Sequence, residues 1–251
     1  MRLLIDTSYA DRGHSGTGVY ARMIASALRE GGRVEVVEVR QRRRLRPGGG
    51  RNPARSAANI LLDLLWLHIG LPRAARAARA EVVHHTLPAH SRRISLPQVT
   101  TIQDLAFLRM AERYDPAWAR LARRSYRRAA RRSDVVVCPT RATADDVVEL
   151  LGAEPGRVTV SPYGPGQVEP EDGGPEGAYL LFVGDSEPRK NLAGLLAAYA
   201  GYRARTQAPV GLLLAGAAAA AAGEPGVEGR EAPDAETLKE LLRGALALVH
   251  P

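Results

Sequence analysis

Short apolar runs alternate with stretches of helical spacing along most of the chain, and this alternation limits the available folds more than any other feature. Residues 3–5 are an apolar run ending in Asp6. Val19, Met23, Ile24 and Ala27 then recur on one helical face across 19–28, and Gly31-Gly32 stops that helix. Val34, Val36, Val37 and Val39 predict a second strand. Strand, helix and strand in succession are the seed of a parallel sheet, because a parallel partner needs a crossover. The pattern continues with a helix over 57–69, strands over 81–84 and 98–102, and a helix over 116–132. Asp115 is a fitting N-cap for the last of these, with Pro116 at its first position. A strand over 134–138, a helix over 140–151 capped by Thr140 and a strand over 157–161 complete a doubly wound α/β pattern.

The pattern then breaks and restarts. Residues 162–177 hold several Pro and Gly and few large apolar side chains, the composition of a linker. The expected organisation is a domain over 1–165, a linker over 166–177 and a second, partial domain over 178–251. In the second domain a strand is expected over 178–183, a loop over 184–188, a helix over 189–205 and a strand over 210–215. The alanine tract 217–222 and the Gly/Glu/Pro-rich stretch after it carry no readable period, whereas 234–243 predicts a helix capped by Asp234 and 245–249 a strand. A nucleotide-binding domain usually takes about 100–150 residues, so this one is expected to stop before it is complete. Residues 40–53, rich in Arg, Gly and Pro, are expected to form a mobile basic loop.

Charge narrows the function only a little. The net charge is +8, and 33 of the 35 basic residues are arginine, the lysines being Lys190 and Lys239. Abundant Ala, Gly and Pro beside that arginine excess point to a compositional bias that raises the charge everywhere, so basicity alone argues weakly for an anionic partner. Cys138 is the single cysteine, which excludes an intrachain disulfide and a thiolate metal site. A charge interrupts the apolar start after three residues, unlike a signal peptide, and the apolar run 210–223 is too short to span a bilayer. A cytoplasmic protein is expected.

Three stretches carry chemistry. Gly16-Thr17-Gly18-Val19-Tyr20 follows the first strand. Thr101-Ile102-Gln103-Asp104-Leu105 ends a strand in the middle of the first domain. Phe182-Val183-Gly184-Asp185-Ser186-Glu187-Pro188-Arg189-Lys190-Asn191-Leu192 opens the second. In this order they resemble glycosyltransferase family 4, and the Glu-Pro-Arg-Lys-Asn stretch is the most specific part. The resemblance implies the GT-B fold, two Rossmann-like domains with parallel sheets. It also implies a retaining transfer of a hexose, as in the family's mannosyltransferases, from a nucleotide-sugar to a glycan or lipid-linked acceptor. The nucleotide-sugar is then a substrate, and neither a metal nor another cofactor is implied.

The residues suit that chemistry. A sugar leaves a nucleoside diphosphate only if the charge growing on the phosphate is stabilised. Arg189 and Lys190 are expected at the start of a helix, where a planar fork and a point charge add to the helix's positive end; the plainer reading is a solvated basic turn. Gly16 and Gly18 let backbone N–H groups approach phosphates, unless they only join strand to helix. At Gln103-Asp104 the family commonly has His-Asp-Leu, with the histidine reaching the donor sugar. Gln103 keeps the hydrogen bonding and loses the titratable charge, and Asp104 either touches ligand or braces its loop.

Arg120, Arg123, Arg124 and Arg127 lie on the 116–132 helix, either as a patch for anionic lipid or a lipid-phosphate acceptor, or as a solvated face. The first of these would make the protein peripheral at the inner membrane face. His84 and His85 follow a strand and either line a cleft or, like His90, are ordinary loop histidines; the three lack metal-ligand spacing, and Cys138 reads as a core thiol. The resemblance further implies a Glu-rich segment after the stretch matching 245–251, with acidic residues for the donor sugar and the ribose. A chain ending before it is expected to hold half a donor site. Two alternatives stay open: a non-catalytic remnant or partner subunit, and a nucleic-acid-binding protein, which charge alone suggests and no motif supports.

Overall fold

The computed structural model describes residues 1–10, 16–43, 45, 53–164 and 177–251. Most of the expected linker and basic loop, and Gly13 to Ser15, therefore lie outside the described residues. The chain forms two compact units, Met1–Gly166 and Gln167–Pro251.

The first unit runs β1 (Arg2–Asp6), α1 (Gly16–Glu30), β2 (Glu35–Val39), α2 (Pro53–Leu65), a π turn (Trp66–Gly70) and α3 (Leu71–Ala77). It continues through β3 (Val82–His85), β4 (Gln98–Thr101), α4 (Ala106–Arg109), α5 (Pro116–Arg132), β5 (Val135–Cys138), α6 (Arg141–Leu151) and β6 (Val158–Val160). Its sheet has the order β2-β1-β3-β4-β5-β6, and every pair is parallel. The steps from β2 to β3, β4 to β5 and β5 to β6 all cross the sheet in one direction, and the step from β1 to β2 runs the other way. Right-handed crossovers therefore put α2, α3, α5 and α6 on one face and α1 on the other.

Two cores follow from this layering. Leu4 and Val83 meet Leu71 and Ala75 of α3. Val136 and Cys138 meet Ala130 of α5 and Val147 and Leu151 of α6. Local chemistry fixes the ends of the helices. The Asp115 carboxylate accepts from the Trp118 N–H at 2.9 Å, the Thr140 hydroxyl accepts from the Thr143 N–H at 3.1 Å, and Gly152 closes α6 with φ +68.

The second unit runs β7 (Tyr179–Val183), α7 (Leu192–Arg205), β8 (Gly211–Ala215), β9 (Val227–Arg230), α8 (Ala235–Arg243) and β10 (Ala245–Leu248). Its parallel sheet has the order β10-β7-β8-β9. Phe182, Leu212 and Leu214 pack on Leu195 and Tyr199 of α7. The α/β class with two parallel sheets is the architecture that the alternation predicts.

Several boundaries differ from the sequence reading. The glycine stretch, expected as a loop, forms the first turn of α1, where N–H groups need no intrahelical partner. The helix expected from residue 189 starts at Leu192, because Pro188–Lys190 is a 3-10 turn and Asn191 turns left-handed at φ +48. The helix over 57–69 extends to Pro53 and passes through the π turn into α3. The stretch without a readable period contains β9, an edge strand whose sequence Val-Glu-Gly-Arg has one apolar residue.

Candidate active site

Ligands of open parallel sheets gather at the carboxyl ends of the strands, and each unit has a distinctive arrangement there. In the first unit β1, β3 and β4 end side by side. The Thr17 hydroxyl, in the first turn of α1, donates to Gln103 Oε1 at 3.3 Å. The Thr143 hydroxyl of α6 donates to the Gln103 carbonyl at 3.3 Å. Two of the three stretches singled out from sequence are thus brought together, with Gln103 between two helix starts. Gln103 Nε2 is buried and has no hydrogen-bond partner, which leaves a donor available to a ligand oxygen. Asp104 is exposed and accepts from the Ala106 N–H at 3.1 Å, bracing the turn into α4. Gly16 is exposed and has open space where a Cβ would sit; Gly18 is buried in α1.

A second layer of polar groups lies behind them. The Tyr20 and Thr101 hydroxyls are 2.8 Å apart, and His84 Nε2 is 2.9 Å from the same Thr101 oxygen. Tyr163 stacks obliquely on Tyr20 with ring centroids 5.0 Å apart. Burial holds the Tyr20 phenol above its usual range against the opposing hydrogen bond from Thr101, so it stays protonated. Burial, and then the neighbouring His85, push His84 down to about 4, so its imidazole is neutral. His85 lies 2.9 Å from Gln98 Oε1. These two histidines are not loop residues, contrary to the sequence reading. They end the central strand β3, where side-chain partners make burial of a polar ring tolerable. Burial also pushes the Cys138 thiol up to about 11, which makes it a poor nucleophile.

At the end of β1, the Asp6 carboxylate accepts from the Ser8 N–H at 3.0 Å, from the Ser8 hydroxyl, and from Trp66 Nε1 at 2.9 Å. Trp66 also lines an open cavity of about 330 Å³ with Glu38, Val39, Arg40 and Arg42. Glu38 is held below the usual carboxylate range, chiefly by its hydrogen bond from Arg29.

The carboxyl edge of the second sheet is built differently. Gly184 follows β7 and Gly216 follows β8, and a Cβ on Gly216 would stand 2.7 Å from the Gly184 carbonyl oxygen. Gly216 has φ +88 and ψ −154, a region essentially reserved for glycine. Lys190 folds back from the 3-10 turn so that a Cβ on Gly184 would meet its Nζ at 2.6 Å. The ammonium is 3.7 Å from Asp185 Oδ1 and mostly covered. Arg189 points elsewhere: it is exposed and donates to Glu187 at 2.6 Å. The two cations expected to act as a pair thus take different partners. The α7 N-terminus, one residue beyond Lys190, has no side-chain cap hydrogen bond, so its first-turn N–H groups add positive potential beside that ammonium.

Arg120, Arg123, Arg124 and Arg127 are all exposed on α5. Sequence reasoning quoted Thr17, Tyr20 and Thr101 within motifs without giving them roles, and it gave none to Gly216, whose one signal is its place directly after an apolar strand. Among the described residues no three His, Cys, Asp or Glu side chains gather as a metal site.

The sequence model of Glycosyltransferase Family 4 matches residues 14–164, more than half of the chain. The chain belongs to Glycosyltransferase Family 4. The family match falls within the first unit and spans Gly16, Gln103 and the Tyr20–Thr101–His84 chain. No curated protein sequence matches this family member significantly. Solved structures do. Anabaena HepE in complex with UDP-glucose is 13% identical with a TM-score of 0.60, over 100% of this chain and 73% of that one. WaaG, a glycosyltransferase involved in lipopolysaccharide biosynthesis, is 16% identical with a TM-score of 0.59, over 100% of this chain and 75% of that one. The UDP-GlcNAc 2-epimerase of Methanocaldococcus jannaschii is 12% identical with a TM-score of 0.54, over 98% of this chain and 78% of that one. At these identities the likeness is one of fold, and this family 4 glycosyltransferase has the GT-B type.

Proposed function

We propose that the protein transfers a hexose, with mannose the first to try, from a nucleotide-sugar to a glycan or lipid-linked acceptor with retention of the anomeric configuration. The observation that carries the reading is Lys190, a mostly covered ammonium folded over a glycine at a strand end beside an uncapped helix N-terminus. A diphosphate fits this place because its oxygens take charge-assisted bonds from ammonium and backbone N–H alike. Glycine at 184 and 216 lets the backbone approach the ligand closely. HepE, of similar fold, is seen with UDP-glucose, which supports a nucleotide-sugar as the donor.

In the transfer, the bond from the anomeric carbon to the departing phosphate oxygen breaks. The acceptor oxygen bonds to that carbon on the same face, and the departing phosphate takes the acceptor proton. Lys190 offsets the charge growing on the phosphate. Gln103 Nε2 has an unused N–H that suits a sugar hydroxyl, and neutral His84 keeps Tyr20 and Thr101 in register within the first unit. The Arg120, Arg123, Arg124 and Arg127 face suits the phosphate of a lipid-linked acceptor. The test is to incubate the full chain with UDP-, GDP- and ADP-hexoses and with oligosaccharide or polyprenyl-phosphate acceptors. Product mass is read by mass spectrometry and anomeric configuration by NMR. A hexosylated product of retained configuration is expected; an inverted product, or none from any donor, overturns the reading.

A further inference from the structure

Trp66 packs on the core with part of its ring and lines a cavity with the rest. With Val39 it rests against the cluster of Leu4 and Leu71, and with Glu38, Val39, Arg40 and Arg42 it encloses an open cavity of about 330 Å³. That volume is at the small end of ligand sites and suits one sugar residue. The ring is held as well as packed. Its Nε1 donates to the Asp6 carboxylate at 2.9 Å, and that carboxylate also accepts from the Ser8 N–H at 3.0 Å. On another side, a Cβ on Gly70 would run into the ring. Glycine inside a helical run costs about 1 kcal/mol relative to alanine, so at Gly70 room for the indole outweighs helix stability. Trp66 and Gly70 are the two ends of the π turn, an element that recurs at binding sites.

The polar lining is only partly committed. Glu38 accepts from Arg29 at 2.6 Å, from Arg40 at 3.3 Å and from the Thr7 hydroxyl at 3.3 Å. Arg40 Nε donates to that Thr7 oxygen at 3.1 Å. Glu38 and Arg40 therefore offset each other within the wall. Arg42 is exposed, and it has no hydrogen-bond or ion-pair partner among the described residues. The cavity lies where β2 and β1 end, on the carboxyl edge that also carries Gln103 after β4. The order β2-β1-β3-β4 puts β2 three strand spacings from β4, about 14 Å. A sugar against Trp66 is therefore a different residue of the ligand from a sugar beside Gln103.

We propose, resting on the glycan-acceptor reading, that this cavity is a remote subsite for an acidic sugar residue of the acceptor, with its ring against Trp66 and its carboxylate on Arg42. A pyranose gathers axial C–H groups on one face, and these meet the negative face of an indole. A carboxylate matches the planar fork of a single guanidinium. The Glu38 carboxylate in the same wall opposes a doubly charged phosphate more than it opposes a singly charged carboxylate. The acceptor is thereby narrowed to an acidic oligosaccharide.

Trp66 reports its own occupancy. The chain has two tryptophans, Trp66 and Trp118, and Trp118→Phe keeps an aromatic ring beside Phe107 and Tyr114 while leaving Trp66 as the single indole. The full chain carrying Trp118→Phe is titrated, without nucleotide, with oligogalacturonates and with oligosaccharides that alternate glucuronate and N-acetylglucosamine, each beside its carboxyl-reduced form. A saturable change in Trp66 emission is expected, with the acidic form of at least one series binding about tenfold or more tightly than its reduced form. Arg42→Gln in the same background is expected to bring the two forms within about threefold, with an unchanged melt because Arg42 is exposed. If Trp118→Phe melts early, calorimetry on the wild-type chain and on Arg42→Gln makes the same comparison. No response to any of these saccharides, equal affinity for acidic and reduced forms, or a preference that survives Arg42→Gln overturns the proposal. So does tighter binding of mannose 6-phosphate than of either acidic series, which assigns the cavity to phosphate. With no donor in the titration, each of these failures leaves nucleotide binding at Lys190 untouched, whereas saccharide binding without transfer from any nucleotide-sugar counts against the transferase reading alone.

Discussion

At the carboxyl edge of the first sheet, Thr17 bonds Gln103 while Tyr20 and His84 both meet the Thr101 hydroxyl, whereas the same edge of the second sheet is built from Gly184, Gly216 and one lysine. The first edge is furnished with neutral side chains, and burial keeps its histidine and tyrosine uncharged. The second is backbone plus a cation. A neutral, preorganised edge suits sugar hydroxyls; backbone N–H groups beside an ammonium suit phosphate. The comparison shows how two domains of one architecture diverge by what the sequence places just after each strand.

The comparison can be broken most severely at Gly216. Gly216→Val forces a β-branched residue into a glycine-only backbone region, worth about 1–3 kcal/mol in dihedral strain before the contact with the Gly184 carbonyl is added. Amide hydrogen exchange is expected to show β7 and β8 losing protection while the first unit keeps its own. Unchanged protection would mean that the close approach of the two glycines does not hold that edge together.

Next in size is a pH effect confined to the first edge. His84 titrates at about 4 in the folded chain, against about 6.5 in the unfolded one. Between those values the unfolded chain binds a proton that the folded chain refuses. Stability therefore falls as pH drops through 6.5 towards 4, by up to about 1.4 kcal/mol per pH unit. Trp66 and Trp118 both lie in the first unit, so denaturation followed by tryptophan fluorescence reads this unit alone. His84→Gln is expected to flatten the slope; an equal slope in that variant assigns the acid sensitivity to other groups.

The smallest effect sharpens the comparison. Gln103→His restores a titratable ring at the position where Gln103 leaves an N–H without a partner, and a few-fold rise in transfer rate is expected. A flat or lower rate with an unchanged melt would count against a sugar contact at Gln103.

Much of this was legible in the sequence. The run over 34–39 marks β2 through its β-branched valines, and the apolar run over 178–183 marks β7, because buried parallel strands read as continuous apolar segments. Asp115, Thr140 and Asp234 mark helix starts through side-chain capping, a local interaction that sequence reports well. What remained hidden depends on tertiary placement. β9 is polar because it is an edge. His84 and His85 are buried because β3 happens to be central, and nothing local to His-His signals the Thr101 and Gln98 partners. At the candidate site, Arg189 and Lys190 look alike in sequence; a left-handed Asn191 and a short 3-10 turn send one to Glu187 and the other to Gly184.

That divergence supplies the most direct test of the account, calorimetric titration of the full chain with UDP, GDP and ADP. The account predicts that at least one nucleoside diphosphate binds, that Lys190→Ala weakens it about tenfold or more, as loss of a charge-assisted contact should, and that Arg189→Ala weakens it far less. Equal affinity in the wild type and Lys190→Ala would contradict the assignment of the second sheet's edge as the phosphate site.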